Sequence, residues 1–350
     1  MKTIVVNNPA AKEGGALTIL TKFIENLYNS KCKNTFYIFV SVAELKRFEK
    51  ENIKIIVLPK QNIISRIFWD NLGLKYFLNK NNIYSNIFLS IQNTGVNLPT
   101  EIPQLIYFHQ CLSISSQNWS ILKKEERTYW FYKNIYPFFI KQYLNRVTKV
   151  IVQTNWIKEE FERYFNVNDF KVAVFSPTIL MPKIESISKI KKNKFRIFYP
   201  ASPFIYKNHK LVLYSLSKLK ERNEKLEETI ECIFTFSEGE NTFLDKIIKK
   251  YSLKNIVKLV GKLSYKETLE YYKSSDLLVF PSYIESFGLP LLEADYFGIP
   301  ILALDLPYSR ELKCKNIKYL DDNVSSWKEA IKFEYSEYKK SGIKYNSTNL

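Results

Sequence analysis

The sequence predicts an α/β protein of two doubly wound domains facing across a cleft, and three observations carry that prediction. The chain has 350 residues, more than a single core usually supports. Short apolar runs alternate with amphipathic segments from the first residue onward, the pattern of parallel strands joined by crossover helices. The alternation breaks once, over residues 177–193 (PTILMPKIESISKIKKN), where two prolines and scattered Ser and Lys leave no period, and then it starts again.

The elements follow in order. Strands are expected at 2–7, 35–40, 52–59, 85–91 and 103–109, with helices at 16–30, 63–80 and 122–145. KVIVQTNWIKEEFERYF reads as a strand running into a helix, and FKVAVFSP as the last strand of a domain over 1–176. A linker at 177–194 leads to a second domain over 195–335 and a tail at 336–350. Its strands are expected at 194–201, 229–237, 255–261, 276–282 and 300–305, and its helices at 209–222, 242–251, 265–274, 289–297 and 324–333. In open sheets of this kind ligands bind at the carboxyl ends of the strands.

Composition narrows the function. Lys and Arg number 52 against 35 Asp and Glu, a net charge of +17. Such a surface suits nucleic acid, an anionic membrane or a negatively charged substrate, although a general Lys bias raises charge without any function. No zinc-finger spacing or compact basic array marks a nucleic-acid module. The aromatic and basic run YWFYKNIYPFFIKQYLNR (129–146) fits a peripheral membrane contact, and somewhat better a helix buried by its rings. No apolar run is long enough to span a bilayer, and the N-terminus does not read as a signal peptide, so a cytoplasmic location is expected, with peripheral contact at the inner membrane face. The four cysteines, Cys32, Cys111, Cys232 and Cys314, lie far apart and suggest reduced, mostly buried thiols.

Candidate site residues all follow expected strands. Gly14 and Gly15 sit between the first strand and helix, where backbone N–H groups can approach an anion, although a Gly pair before a helix is often only a turn. His109 ends a strand and is one of two histidines, either a structural imidazole or a donor to substrate. Lys207 precedes a helix N-terminus, so an ammonium and unpaired N–H groups converge; against a phosphate at ~4 Å the ammonium alone is worth roughly 4 kcal/mol. In PSYIESFGLPLLEADYFGIP, Glu285 falls in the loop before a helix and Glu293 on its first turns. Two carboxylates beside a helix N-terminus suit a ligand with hydroxyls at two places and phosphates between them, as in a sugar nucleotide.

VFPSYIESFGLPLLEADYFGIPILALDLPYSRE resembles the glutamate-x7-glutamate signature of the family 4 retaining glycosyltransferases, and the resemblance extends through VGKLSYKETLEYYKSSDLLVFPS and YPASPFIYKNHKL, more loosely to YFHQ and EGGA. It implies the GT-B fold of two Rossmann-like domains. By resemblance Glu293 accepts from the donor's ribose hydroxyls, and Glu285 lies beside the transferred sugar. Ser286, Phe287, Gly288 and Leu289 form the turn facing sugar and phosphate, and Lys207 binds the diphosphate. Gly15 and His109 match first-domain positions near phosphate and reacting sugar, and Lys262 to Leu263 meet the base. The expected partners are a nucleotide-diphosphate sugar donor, a glycan or lipid-linked glycan acceptor in bacterial polysaccharide assembly, and an anionic membrane. No metal and no cofactor is expected, since Asp-x-Asp is missing. The sequence departs from the family in two places. No second basic residue occurs in Ala201–Tyr206, which favours an alternative reading as a non-catalytic glycosyltransferase-like subunit, and the tail shows no obvious helix returning to the first domain.

Overall fold

The computed structural model describes residues 1–12, 14–177, 181–221 and 225–347. The first unit ends at Pro177 and the second begins at Thr178. In the first, Val, Ile and Phe dominate strands β1 (Thr3–Asn7), β2 (Thr35–Val40), β3 (Ile53–Val57), β4 (Ile87–Ser90), β5 (Gln104–Tyr107), β6 (Val147–Val152) and β7 (Val172–Val174). They form one parallel sheet in the order β3-β2-β1-β4-β5-β6-β7. A parallel sheet buries both faces, and successive side chains divide between them. Val6 and Ile38 join Leu20 and Ile24 of the helix Gly14–Asn29 on one side, while Val5 and Phe39 pack with Trp69, Leu74 and Leu78 on the other.

The second unit repeats the plan with β8 (Phe195–Tyr199), β9 (Ile230–Phe234), β10 (Val257–Leu259), β11 (Leu277–Phe280), β12 (Ile301–Leu304) and β13 (Ile317–Leu320). Their order is β10-β9-β8-β11-β12-β13, again all parallel. Every residue of β8, β11 and β12 is buried. In each sheet the order reverses beside the first strand, between β1 and β4 and between β8 and β11. A crevice opens at the carboxyl ends of such a pair, which is where a ligand is held in this class of sheet.

Five elements differ from the sequence expectation. The helix expected over 122–145 is broken into Arg127–Asn134 and Tyr136–Gln142, because Pro137 has no N–H for the preceding turn and is tolerated only at the start of a new helix. The helix over 63–80 is present but contains a π turn, Trp69–Gly73. β13 and the short helix Pro307–Glu311 escaped the sequence reading, the strand because its four residues include an exposed Lys318. The last helix, expected at 324–333, runs from Val324 to Ser347 and takes in most of the expected tail. Trp327, Ala330 and Ile331 bury its first turns in the second unit, and Tyr335 and Tyr338 set their rings against Phe195.

The expected linker is also more structured than its composition suggests. Residues 178–180 lie outside the described residues, but Lys273 Nζ donates to the carbonyls of Ile184 and Ile187 at 2.8 and 2.6 Å, and Tyr296 donates to Pro182 O at 2.9 Å. Those bonds fasten the segment after Met181 to the second unit.

Candidate active site

The switch point of the second sheet assembles the site. After β8 the chain makes a short turn, Ile205–Lys207, and reverses at Asn208, whose φ of 53° is left-handed, before entering the helix His209–Lys220. Asn tolerates that conformation better than most residues, and its Nδ2 donates to Asp322 at 3.2 Å. Asp322 also accepts from Tyr283 of the loop after β11, at 2.6 Å. The two loops are further joined by the Tyr283 N–H donating to Tyr206 O at 2.8 Å. Beneath them, the buried Tyr199 donates to Lys207 O and Tyr308 to Ser282 O, each at 2.6 Å.

This stitching brings together two side chains 78 positions apart. Lys207 Nζ lies 2.6 Å from Glu285 Oε1, and both side chains are mostly buried, at 17% and 12% exposure. The carboxylate's charge reaches the interior, since burial first and Glu285 second raise the phenols of Tyr199 and Tyr308 well above their ordinary range. An ammonium has three N–H donors and Glu285 takes one, so the remaining two are available to an anion. The pair thus offers a cation and a carboxylate within hydrogen-bond distance of each other, at the carboxyl end of β8 and β11.

The turn after Glu285 follows from glycine. Gly288 has φ +79°, and a Cβ there would meet Leu312 Cδ1 at 3.2 Å, so a larger residue is opposed by both strain and contact. Leu289 then opens the helix Leu289–Tyr296, with proline in its first turn. Ser286 is half-buried, Phe287 buried and Leu289 exposed. One helical turn further on, Glu293 is buried, and its charge bears on the phenols of Tyr272 and Tyr265, both raised chiefly by desolvation. Tyr265 belongs to the helix Tyr265–Lys273, which Ser264 and Glu267 cap reciprocally. The exposed Lys262 and half-buried Leu263 immediately precede that cap, so the turn and Glu293 share Tyr265 as a neighbour. Lys210, a possible second cation by sequence, is exposed on the first turn of its helix.

In the first unit, Gly14 and Gly15 form the first turn of the helix that follows β1. His109 follows β5, and its backbone N–H donates to Asn93 Oδ1 at 2.8 Å. Burial pushes its imidazole down to about 4, with the Arg66 charge acting in the same direction. The ring is therefore neutral at neutral pH, able to donate a hydrogen bond but not to carry charge.

Sequence reasoning missed a polar cluster at the switch point of the first sheet. Asp70 accepts from Asn7 at 3.3 Å, Gln92 at 2.9 Å and Thr94 at 3.4 Å, with Arg66 Nε at 3.9 Å. Arg66 donates through Nη2 to Gln92 O and Tyr136 Oη, both at 2.8 Å. Burial outweighs these partners and pushes the Asp70 carboxyl up to about 6. Only the end of β1 hints at this cluster in sequence, since its members come from residues 7, 66–70, 92–94 and 136.

Residues 181–337 match the sequence model of the family described as glycosyl transferases group 1. The chain is similar to the O-antigen chain mannosyltransferase RfbU of Salmonella typhimurium, at 25% identity over 205 residues, 57% of this chain and 54% of that protein. It is also 25% identical over 173 residues to the UDP-N-acetylglucosamine–peptide N-acetylglucosaminyltransferase GtfA subunit of Streptococcus agalactiae, 49% of this chain and 32% of that one. The chain thus spans about half the length of these curated relatives, or less. Among solved structures it resembles Anabaena Alr3699/HepE, crystallised with UDP and glucose, at a TM-score of 0.66 with 14% identity, covering 97% of this chain and 91% of that one. At that identity the likeness speaks for the fold alone, the GT-B fold with its two Rossmann-like domains.

Proposed function

We propose that this chain, whose residues 181–337 match the family described as glycosyl transferases group 1, is a glycosyltransferase that moves a sugar from a nucleotide-diphosphate donor to a hydroxyl of a growing glycan, with retention at the anomeric carbon. One observation carries the reading: Lys207 and Glu285 meet at 2.6 Å at the β8–β11 switch point, followed by the Gly288 turn and the helix bearing Glu293. The relatives support a role in glycan assembly, one of them being an O-antigen chain mannosyltransferase.

In this reading the two spare N–H groups of Lys207 hold the donor diphosphate and stabilise the charge it gains as the sugar's C–O bond breaks. Glu285 faces the anomeric carbon, where a carboxylate favours developing positive charge. The acceptor oxygen attacks from the face the diphosphate leaves, and its proton passes to a diphosphate oxygen, so no protein base is required. Glu293 takes the ribose hydroxyls, the N–H groups of Ser286 to Leu289 the sugar and phosphate, and Leu263 the base, while Gly14, Gly15 and His109 keep the roles the resemblance implies. Cations and helix ends replace a metal ion. The acceptor is lipid-linked, and the enzyme works as a peripheral protein at the inner membrane face.

A second reading, a glycosyltransferase-like binding subunit without transfer activity, is favoured by the lack of a second basic residue in Ala201–Tyr206. Thermal unfolding against a panel of sugar nucleotides without added metal tests both. A donor at 100 times its dissociation constant stabilises the native state by about 2.7 kcal/mol. The transferase reading requires one nucleotide to do so, with Lys207→Ala and Glu293→Ala abolishing the shift, and turnover of that donor when acceptor is added. Stabilisation without turnover leaves the binding subunit.

A further inference from the structure

The helix of residues 63–80 carries a row of apolar side chains on the wrong side. Ile64, Phe68, Leu72 and Tyr76 are 57% to 78% exposed, while Trp69, Leu74 and Leu78 bury the opposite face. In an unbroken α-helix an i, i+4 row drifts around the axis by roughly 40° per step. The π turn Trp69–Gly73, whose bonds close over five residues, cancels much of that drift between Phe68 and Leu72 and keeps all four on one face. Two features hold the turn: Asp70 is bonded to Asn7, Gln92 and Thr94, and the Trp69 ring lies where a Cβ on Gly73 would stand, 2.8 Å from Cε3.

The neighbouring helix extends the same kind of surface. Tyr136–Gln142 lies against the first helix, with Gln142 Nε2 donating to Asn71 at 3.0 Å, and it presents Phe138, 67% exposed. Exposed charge on these two segments has one sign. Lys75 and Lys80 flank the row, Lys80 lying over the Tyr76 ring, and Lys141 and Arg146 follow Phe138. Asp70 is the only carboxylate within residues 63–80 and is buried, and residues 127–146 contain no Asp or Glu. Large apolar side chains among lysines, on two segments that expose no acid, complement an anionic bilayer surface, in which rings and aliphatic chains enter the interface while ammonium groups stay at the headgroups.

Resting on the reading of the acceptor as lipid-linked, we propose that the Ile64, Phe68, Leu72 and Tyr76 row, together with Phe138, is the surface by which this protein docks on an anionic lipid membrane. Of the segment 129–146 singled out by composition it takes the ring of Phe138 alone, since Tyr136 and Tyr143 are buried and the remaining rings are half-buried.

The test is co-sedimentation of the full chain with vesicles of phosphatidylcholine alone or of equal phosphatidylcholine and phosphatidylglycerol, at low and high salt. Binding is expected with phosphatidylglycerol only, weakened by salt. Phe68→Ser with Leu72→Ser should lower partitioning roughly tenfold or more, since exposed apolar side chains supply the insertion term. Lys75→Glu with Lys141→Glu should remove the salt-sensitive part. Both doubles change exposed positions, so melting temperature and the sugar-nucleotide shift should stay as in the parent. Three results would overturn the proposal: no binding to phosphatidylglycerol vesicles at low salt, undiminished binding by Phe68→Ser with Leu72→Ser, or a dimer in sedimentation velocity that this double dissolves. The sugar-nucleotide shift is measured without vesicles, so failure of the donor reading and failure of membrane docking are separate outcomes.

Discussion

The two sheets of this protein share one strand order around their first strands, and each switch point sets a carboxylate beside a cation, yet the two pairs differ in how many internal partners they hold. In the first unit Asp70, at the crevice end of β1 and β4, holds three hydrogen bonds and an arginine. In the second, the same topological position holds Lys207 and Glu285, joined to each other and each with bonding capacity left over. Topology places a crevice, and the loops decide whether the charged groups beside it are taken up by internal partners or keep bonding capacity for a ligand.

The largest expected effect comes from removing one carboxylate charge in each unit. Glu285→Gln should lower kcat/KM for sugar transfer by roughly 10²–10³, the usual loss when one group facing transition-state charge is removed. Asp70→Asn should leave transfer nearly unchanged and act on stability. Steady-state kinetics on the two variants checks this, and comparable losses in both would erase the contrast.

Acid should separate the units next. His209 of the second unit is fully buried among Tyr199, Phe234 and Phe236, and burial pushes it down to about 3. A histidine whose folded pKa is depressed stabilises the fold fully above its unfolded value near 6.5, and that stability is lost as pH falls towards the folded pKa. Between pH 6.5 and 4 this amounts to about 3 kcal/mol. His109 of the first unit behaves likewise, but Asp70, raised to about 6 from 3.8, has the opposite sign and gains stability over the same fall in pH. The second unit should therefore open first in acid. Hydrogen exchange at pH 7 and pH 4.5 reads this directly, and His209→Phe should remove the difference.

The smallest effects concern two glycines. Gly73→Ala forces a Cβ to 2.8 Å from the Trp69 ring at an ordinary backbone angle, and should cost about 2 kcal/mol as overpacking. Gly298→Ala meets nothing within 4 Å but must hold φ +68°, and should cost about 1 kcal/mol as backbone strain. Urea melts of both variants order the two costs, and a reversed order would show the first unit's π turn to be softer than its contacts suggest.

Much of this was legible in the sequence, because buried parallel strands announce themselves as short β-branched and aromatic runs between amphipathic segments. The expected strands at 35–40 and 300–305 lie within a residue of Thr35–Val40 and Ile301–Leu304. The Gly288 turn and the eight-residue spacing of Glu285 and Glu293 were equally visible, since both are local. The break at Pro137 was there to be read and was outweighed by the apolar period on either side. The π turn left no mark in sequence, because an exposed Phe68 and a buried Trp69 look alike in a periodicity count.

The sequence by itself determined the two α/β units, the loops that carry charge and the family resemblance, all of which rest on neighbours within about ten residues. Only the tertiary structure decided that Lys207 touches Glu285 and that Asp70 is enclosed by Asn7, Gln92 and Thr94. It also decided that four apolar side chains of one helix face outward. Those facts depend on which strands lie side by side and how a helix is rotated on its sheet. Pairing between distant strands and burial of one helix face are settled by packing over the whole unit, where no local pattern records them.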